Sequence, residues 1–197
     1  MEFEVKIIEF LQVGGSDFWT GFFRFASSIA IYVMIAALFV VAFLICKKRF
    51  FLYGGCLGFG LLFNLLLKHI IRRDRPYVTH ESIMQLGSGD GFSFPSLHSV
   101  CIAILAVFLC YFVFMKAKKK STKILTVIIA VLSMIIIMMS RMYLGVHYLT
   151  DVIAGAFIGL LISVVAIIVY EKWIDKWLST WKIFKPKEKN KDEEKKD

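Results

Sequence analysis

Apolar residues gather into five long runs separated by short polar breaks, at residues 29–46, 50–71, 97–115, 124–139 and 152–170. At about 1.5 Å of rise per residue, four of them approach or reach the length needed to cross a hydrocarbon core about 30 Å thick. The fourth is short by itself and is expected to extend into its flanks. Backbone N–H and C=O groups find no water in lipid and must be satisfied within the segment, so each run predicts a helix. The expected fold is all-α: an integral-membrane helical bundle of about five transmembrane helices.

The first residues follow a different pattern. Between residues 2 and 12, Phe3, Ile7, Phe10 and Leu11 share one helical stripe while Glu2, Lys6 and Glu9 fall elsewhere. That pattern predicts an amphipathic helix lying in the membrane interface. Gly14 and Gly15 break it, and Ser16 or Asp17 is placed to cap a second helix over 18–25. Arg24 and the paired glycines argue against a sixth span across 3–25. Acidic Glu2, Glu4 and Glu9 stand where a signal peptide would be basic. From Lys182 the chain mixes seven lysines with five acids and has no apolar period, which predicts a solvated, disordered tail over 182–197 behind a membrane-embedded domain at 1–181.

Composition sharpens this picture. The chain has 197 residues, 58% of them hydrophobic, against about half in ordinary soluble domains. The net charge is +9, and its distribution matters more than its sum. Lysines and arginines cluster at 47–49, at 116–123 and in the tail. Basic clusters beside apolar runs mark the cytoplasmic side of a membrane and are not read as a nucleic-acid surface. Counting spans then puts the N-terminus outside, the C-terminus in the cytoplasm, and the segments 72–96 and 141–147 outside. Cys46, Cys56, Cys101 and Cys110 lie in or beside apolar runs with no C-x-x-C pair, which fits buried, reduced thiols. Trp173, Trp177 and Trp181 recur at fourfold spacing after the last run and read as an interfacial belt.

Three polar segments interrupt this apolar chain at one membrane face, where ionisable groups are costly and usually functional. In the first, Lys68 and Arg75 are seven apart, about two helical turns, so one helical face would present both, with Pro76 ending the helix near Arg75. Arg72 and Arg73 fit simple snorkelling to the interface. Asn64, one turn before Lys68, could bond it or pack between helices. In the second, Ser96 is placed to cap the third span, whose first-turn N–H groups face an anion, with His98 in that turn. In the third, Ser140-Arg141 leads through Gly145 to His147 and Asp151, four apart on one face at the start of the fifth span. A carboxylate there can orient one imidazole nitrogen and leave the other free to attack; a plain helix cap or ion pair is the alternative. No third ligand set or H-E-x-x-H accompanies them, so no metal site is read. His69 points away from Lys68 and reads as structural, while His80 and the glycine- and serine-rich loop 81–91 read as a mobile gate for lipid. Cations, helix N–H groups, one attacking and one protonating histidine are what phosphoryl transfer without a metal requires.

These residues resemble the type-2 phosphatidic-acid phosphatase superfamily, the lipid phosphate phosphatases. Its signature, K-x6-R-P, P-S-G-H and S-R-x5-H-x3-D, corresponds here to Lys68…Arg75-Pro76, Pro95-Ser96-Leu97-His98 and Ser140-Arg141…His147…Asp151. The resemblance runs over roughly residues 20–170. One position departs: Leu97 stands where the family has glycine. The resemblance implies that His147 attacks phosphorus, Asp151 orients it and His98 protonates the leaving group. It also implies that Lys68, Arg75, Ser96 and Arg141 bind the phosphate, and that neither a metal nor another cofactor is needed. The substrate so implied is a membrane lipid such as undecaprenyl pyrophosphate, phosphatidylglycerol phosphate or phosphatidic acid. The alternatives are a lipid phosphotransferase and a non-catalytic lipid-binding protein. A transporter would need charges continuing across the bilayer, and here they stop at one face. Oligomeric state is not legible.

Overall fold

The computed structural model describes residues 2–45 and 47–174. The tail from Lys182, and Trp177 and Trp181 of the expected belt, lie outside the described residues; Trp173 lies within them and is exposed. Among the described residues the architecture is all-helical, with eight α-helices: α1 (Glu2–Val13), α2 (Asp17–Phe25), α3 (Ile31–Ile45), α4 (Lys47–Ile71), α5 (Pro76–Thr79), α6 (Leu97–Lys116), α7 (Lys120–Tyr143) and α8 (Leu149–Val169). Among the described residues, five helical segments are long and apolar enough to span a membrane.

Ser16 caps α2 as expected, its hydroxyl accepting from the Trp19 N–H. The first span differs from the expectation. A π-helical turn, Ala26–Ala30, joins α2 directly to α3, so this span runs from Asp17 to Leu44 and carries Arg24. The fourth run extends into its flanks to fill Lys120–Tyr143.

α6 forms the middle of the bundle. It packs against α8, α7, α4 and α3, and Val100, Ile104, Phe108 and Phe112 are buried with Tyr53 of α4 and Ala42 of α3. The closest seam is with α8. A Cβ added at Gly155 would stand 2.5 Å from the Ser96 carbonyl oxygen, and one at Gly159 would strike the Val100 carbonyl. Small residues one turn apart let two helix backbones touch, which drives helix association where lipid removes the hydrophobic contrast. The outer faces of α3, α4, α7 and α8 carry exposed Val, Leu, Ile and Phe side chains, as lipid-facing surfaces should.

α1 lies across the end of the bundle that holds the polar segments. Its buried stripe is Glu4, Val5, Ile8 and Gln12, while Phe3 and Phe10 are turned away from the protein. The helix is therefore apolar on two sides, one packed against the bundle and one left for the bilayer interface.

Candidate active site

The segment carrying Lys68 and Arg75 departs from the expected two-turn helix. α4 ends at Ile71, and Arg72 takes a left-handed conformation (φ 52°) with its Nε donating to the His69 carbonyl at 2.9 Å. Arg75 is extended and precedes Pro76, the first residue of α5. The proline disfavours helix at Arg75, and the chain leaves the helix a turn earlier still. Lys68 and Arg75 therefore do not share a helical face. They converge because the chain turns back: Lys68 Nζ donates to the Phe92 carbonyl, and Arg75 Nη2 reaches the same oxygen at 3.4 Å.

The loop before α6 and the turn after α7 supply the remaining partners of these cations. Arg75 donates to the carbonyls of Gly91 (2.9 Å), Asp90 (2.7 Å) and Val146 (2.9 Å). Arg141, buried at the end of α7, reaches the Ser88 carbonyl at 3.3 Å, and its Nε has no partner among the described residues. None of the three cations hydrogen-bonds a carboxylate among the described residues. Asn64 anchors the loop end by donating to the Pro95 carbonyl at 3.0 Å, and it does not bond Lys68.

α6 opens at Leu97 behind the cis Phe94–Pro95 peptide. Ser96 holds the N-cap position without capping; its buried hydroxyl has no partner among the described residues. Leu97 is already helical, so its N–H remains one of the free donors of a first turn. His98 Nε2–H donates to the Ser27 carbonyl in the π-helical turn at 3.0 Å. The ring lies near enough to Arg141 and Arg75 to feel their charge.

His147 sits in the loop between α7 and α8, one residue before the Tyr148 N-cap, and not on the helix. Gly145 makes that turn with φ 73°, where a Cβ would strike the Met84 carbonyl. Asp151 is the third residue of α8 and is fully buried. Its Oδ2 accepts from the Tyr148 N–H at 2.9 Å and from Ser93 Oγ at 2.5 Å, and lies 3.6 Å from His147 Nδ1. The cap and the histidine partner are thus one carboxylate. Burial drives the His147 pKa down to about 3 against the pull of Asp151, with Arg141 and Arg75 adding to the fall. The ring is neutral at pH 7, and with Nδ1 turned to Asp151, Nε2 keeps its lone pair.

Sequence reasoning missed the far side of this aspartate. Arg73, read as a snorkelling cation, donates from Nη1 to Asp151 Oδ1 at 2.6 Å and from Nη2 to Glu4 Oε2 at 3.0 Å, with its guanidinium 3.9 Å above the Tyr148 ring. Glu4, on α1, also accepts from the Thr150 N–H (2.9 Å) and hydroxyl (2.7 Å). Burial works to raise the Glu4 pKa, but these donors and Arg73 hold it below the ordinary carboxylate range. The available signal was Glu4 itself, an acid on the apolar side of an amphipathic helix. Ser93 left no such trace.

The loop 81–91 is tied at many points, in contrast to the expected mobile gate. Gln12 of α1 exchanges hydrogen bonds with Met84 (2.8 and 3.0 Å), the Leu86 N–H reaches the Leu144 carbonyl at 3.1 Å, and Arg24 holds the Leu86 carbonyl at 2.6 Å. His80 stands edge-on to Tyr148, and exposed His69 bonds its own helix at the Leu65 carbonyl.

Residues 49–175 match the family model described as PAP2 superfamily. Among solved structures, the fold is similar to the transmembrane PAP2-type phosphatidylglycerolphosphate phosphatase from Bacillus subtilis. That match has TM-score 0.73 and 27% identity, covering 87% of this chain and 86% of that one. It is also similar to Aquifex aeolicus LpxE, with TM-score 0.67 and coverage of 82% and 93%, where 20% identity makes the likeness one of fold. No curated protein sequence matches the chain.

Proposed function

The chain belongs to the PAP2 superfamily of membrane lipid phosphatases, and from that premise we propose that it hydrolyses a phosphomonoester or diphosphate of a membrane lipid through a phosphohistidine on His147, without a metal. One observation carries this reading. A buried pair of neutral His147 and ionised Asp151 stands among Lys68, Arg75 and Arg141, cations whose only hydrogen-bond partners among the described residues are backbone carbonyls. Carbonyl dipoles hold these charges in place and leave them available to an anion.

The terminal phosphate binds Lys68, Arg75 and Arg141, with the unpartnered Ser96 hydroxyl and the first-turn N–H groups of α6 completing the cradle. His147 Nε2 attacks phosphorus in line, forming the P–N bond as the bond to the lipid oxygen breaks. His98 gives that oxygen its proton. Water then attacks the phosphohistidine, His98 takes its proton back, and the P–N electron pair returns to His147. Asp151 holds the imidazole through Nδ1 and balances the positive charge on the phosphorylated ring. Arg73 and Glu4 fix Asp151 in turn.

The lysine-rich turn between α6 and α7, and Arg49, lie at the end of the bundle opposite the site. By the positive-inside rule this end is cytoplasmic, so the site opens on the outer face of the cell membrane. The deciding experiment is phosphate release from lipid phosphates in detergent micelles with EDTA present. Wild type should release phosphate, His147→Ala should lose at least about 10⁴-fold, and the wild-type protein should carry acid-labile, base-stable phosphate after rapid quenching. Full activity in His147→Ala would overturn the reading.

A further inference from the structure

α1 touches the site with one side and is exposed on the other. Its buried stripe grips the machinery at two points. Glu4 accepts from the Thr150 N–H and hydroxyl, beside Asp151, and pairs with Arg73, which itself holds Asp151 Oδ1. Two turns on, Gln12 donates to the Tyr143 and Met84 carbonyls and accepts from the Met84 N–H. The helix therefore straps the start of α8 to the loop 81–91, whose carbonyls hold Arg75 and Arg141. The apolar part of that grip is small. Val5 and Ile8 are buried with Met142 of α7 and Val152 of α8, and a helix of 12 residues is marginal in water by itself. On the opposite side Phe3 and Phe10, two turns apart, keep 70% and 79% of their surface, and exposed Val13 continues the stripe.

What covers that stripe follows from where the helix is tied. Residues 14–16 join α1 to the first span, which begins at Asp17, a reach of roughly 10 Å. Phe18 and Trp19, exposed in the first turn of that span, are aromatic residues of the kind that sit at headgroup level. α1 is thus held at the height of the headgroups against the flank of α7 and α8, with Phe3 and Phe10 turned outward into that layer. Glu2, Lys6 and Glu9 fall on a third side. Two acids to one lysine give no pull towards anionic lipid, so apolar burial is what binds. We propose that α1 is a lipid-docked strap: Phe3 and Phe10 enter the headgroup layer, that docking keeps Glu4 on Arg73 and Thr150, and full turnover therefore depends on the bilayer surface. Undocked, α1 frays from the bundle, and Asp151 loses the support behind it. Glu4 is a positioning residue acting through Arg73 and Asp151, and the two phenylalanines act through Glu4. The coupling to turnover rests on the phosphatase reading; the docking does not.

The test uses the full chain in phosphatidylcholine vesicles and dihexanoyl phosphatidic acid kept monomeric in water, so that α1 is not needed to bring substrate to the surface. Phe3→Ser with Phe10→Ser should lower kcat about 5- to 10-fold with KM nearly unchanged, and Phe3→Leu with Phe10→Leu should keep wild-type turnover. Glu4→Gln should absorb most of the serine effect: the three changes together should cost less than about 20-fold, where independent losses would multiply to roughly 50- to 100-fold. Losses that multiply, or normal turnover in the serine variant, overturn the coupling. Docking is read without turnover. Phe3→Trp should add emission that brominated phosphatidylcholine quenches. Added emission that brominated lipid leaves unquenched puts the stripe in water or against protein, and overturns the proposal while leaving the phosphatase reading standing. No phosphate release by folded wild type, with the quenching present, overturns the phosphatase reading and the coupling together and leaves α1 an anchor only.

Discussion

Two arginine–carboxylate clusters sit at opposite ends of this bundle. At one end Arg49 of α4 pairs with Glu171 at 3.0 Å and donates to the Tyr111 hydroxyl at 2.7 Å. At the other, Arg73 joins Asp151 and Glu4. The chemistry is the same and the surroundings are not. Glu171 keeps 42% of its side-chain surface, whereas Asp151 keeps none and Glu4 11%. An exposed pair clasps helix ends and contributes little. A buried carboxylate must be satisfied by directional donors, and Asp151 meets arginine, serine and backbone donors along with His147. Those donors engage both acids, and neither acid hydrogen-bonds Lys68, Arg75 or Arg141, whose partners among the described residues are backbone carbonyls.

Substitutions at the two ends test that contrast, and the largest effect belongs to Asp151. Asp151→Asn should leave the fold intact and lower kcat about 10³- to 10⁴-fold, as expected where a carboxylate fixes a nucleophilic system; near-normal turnover would reduce Asp151 to a helix cap. Next come the supports behind it. Arg73→Gln should cost roughly 100-fold and Glu4→Gln roughly 10-fold, in kcat with KM nearly unchanged, because neither touches the substrate. A loss confined to KM would instead place Arg73 among the phosphate ligands. A pH effect follows from His147. Its pKa lies near 3 in the folded protein and about 6.5 unfolded. Between these values the unfolded chain binds a proton that the folded chain does not, so stability falls as pH drops below about 6.5, by up to about 1.4 kcal/mol per pH unit. Thermal melts at pH 7.5 and 5 should show this loss, and His147→Gln should flatten it. The smallest effect belongs to the exposed clasp. Arg49→Ala should change turnover less than about twofold and stability by about 1 kcal/mol or less, read by the same assays.

The helices were legible in the sequence because lipid imposes one rule, an unbroken apolar run. The residues gathered at the site were legible because their spacing is carried in short motifs. Reading failed where the chain does something non-repetitive. The left-handed Arg72 breaks the period on which a shared face for Lys68 and Arg75 depended, and no preference of arginine announces it. The Glu4–Arg73–Asp151 chain joins residues from α1, a loop and α8, so no local period records it. The seam between α6 and α8 was written in the sequence as Gly155 and Gly159, one turn apart, and its meaning needed the partner helix to be known.

That seam has a consequence for how the protein lives in membranes of different thickness. A bilayer that thickens or thins acts on the faces it wets, and those belong to α3, α4, α7 and the outer side of α8. The contact of Gly155 and Gly159 with the backbone of α6 is close and buried, and it carries His98 at the head of one helix and Asp151 at the head of the other. It works as a ruler inside a deformable scaffold: the surrounding helices can tilt with the lipid while the gap between His98 and Asp151, the partner of His147, keeps its length.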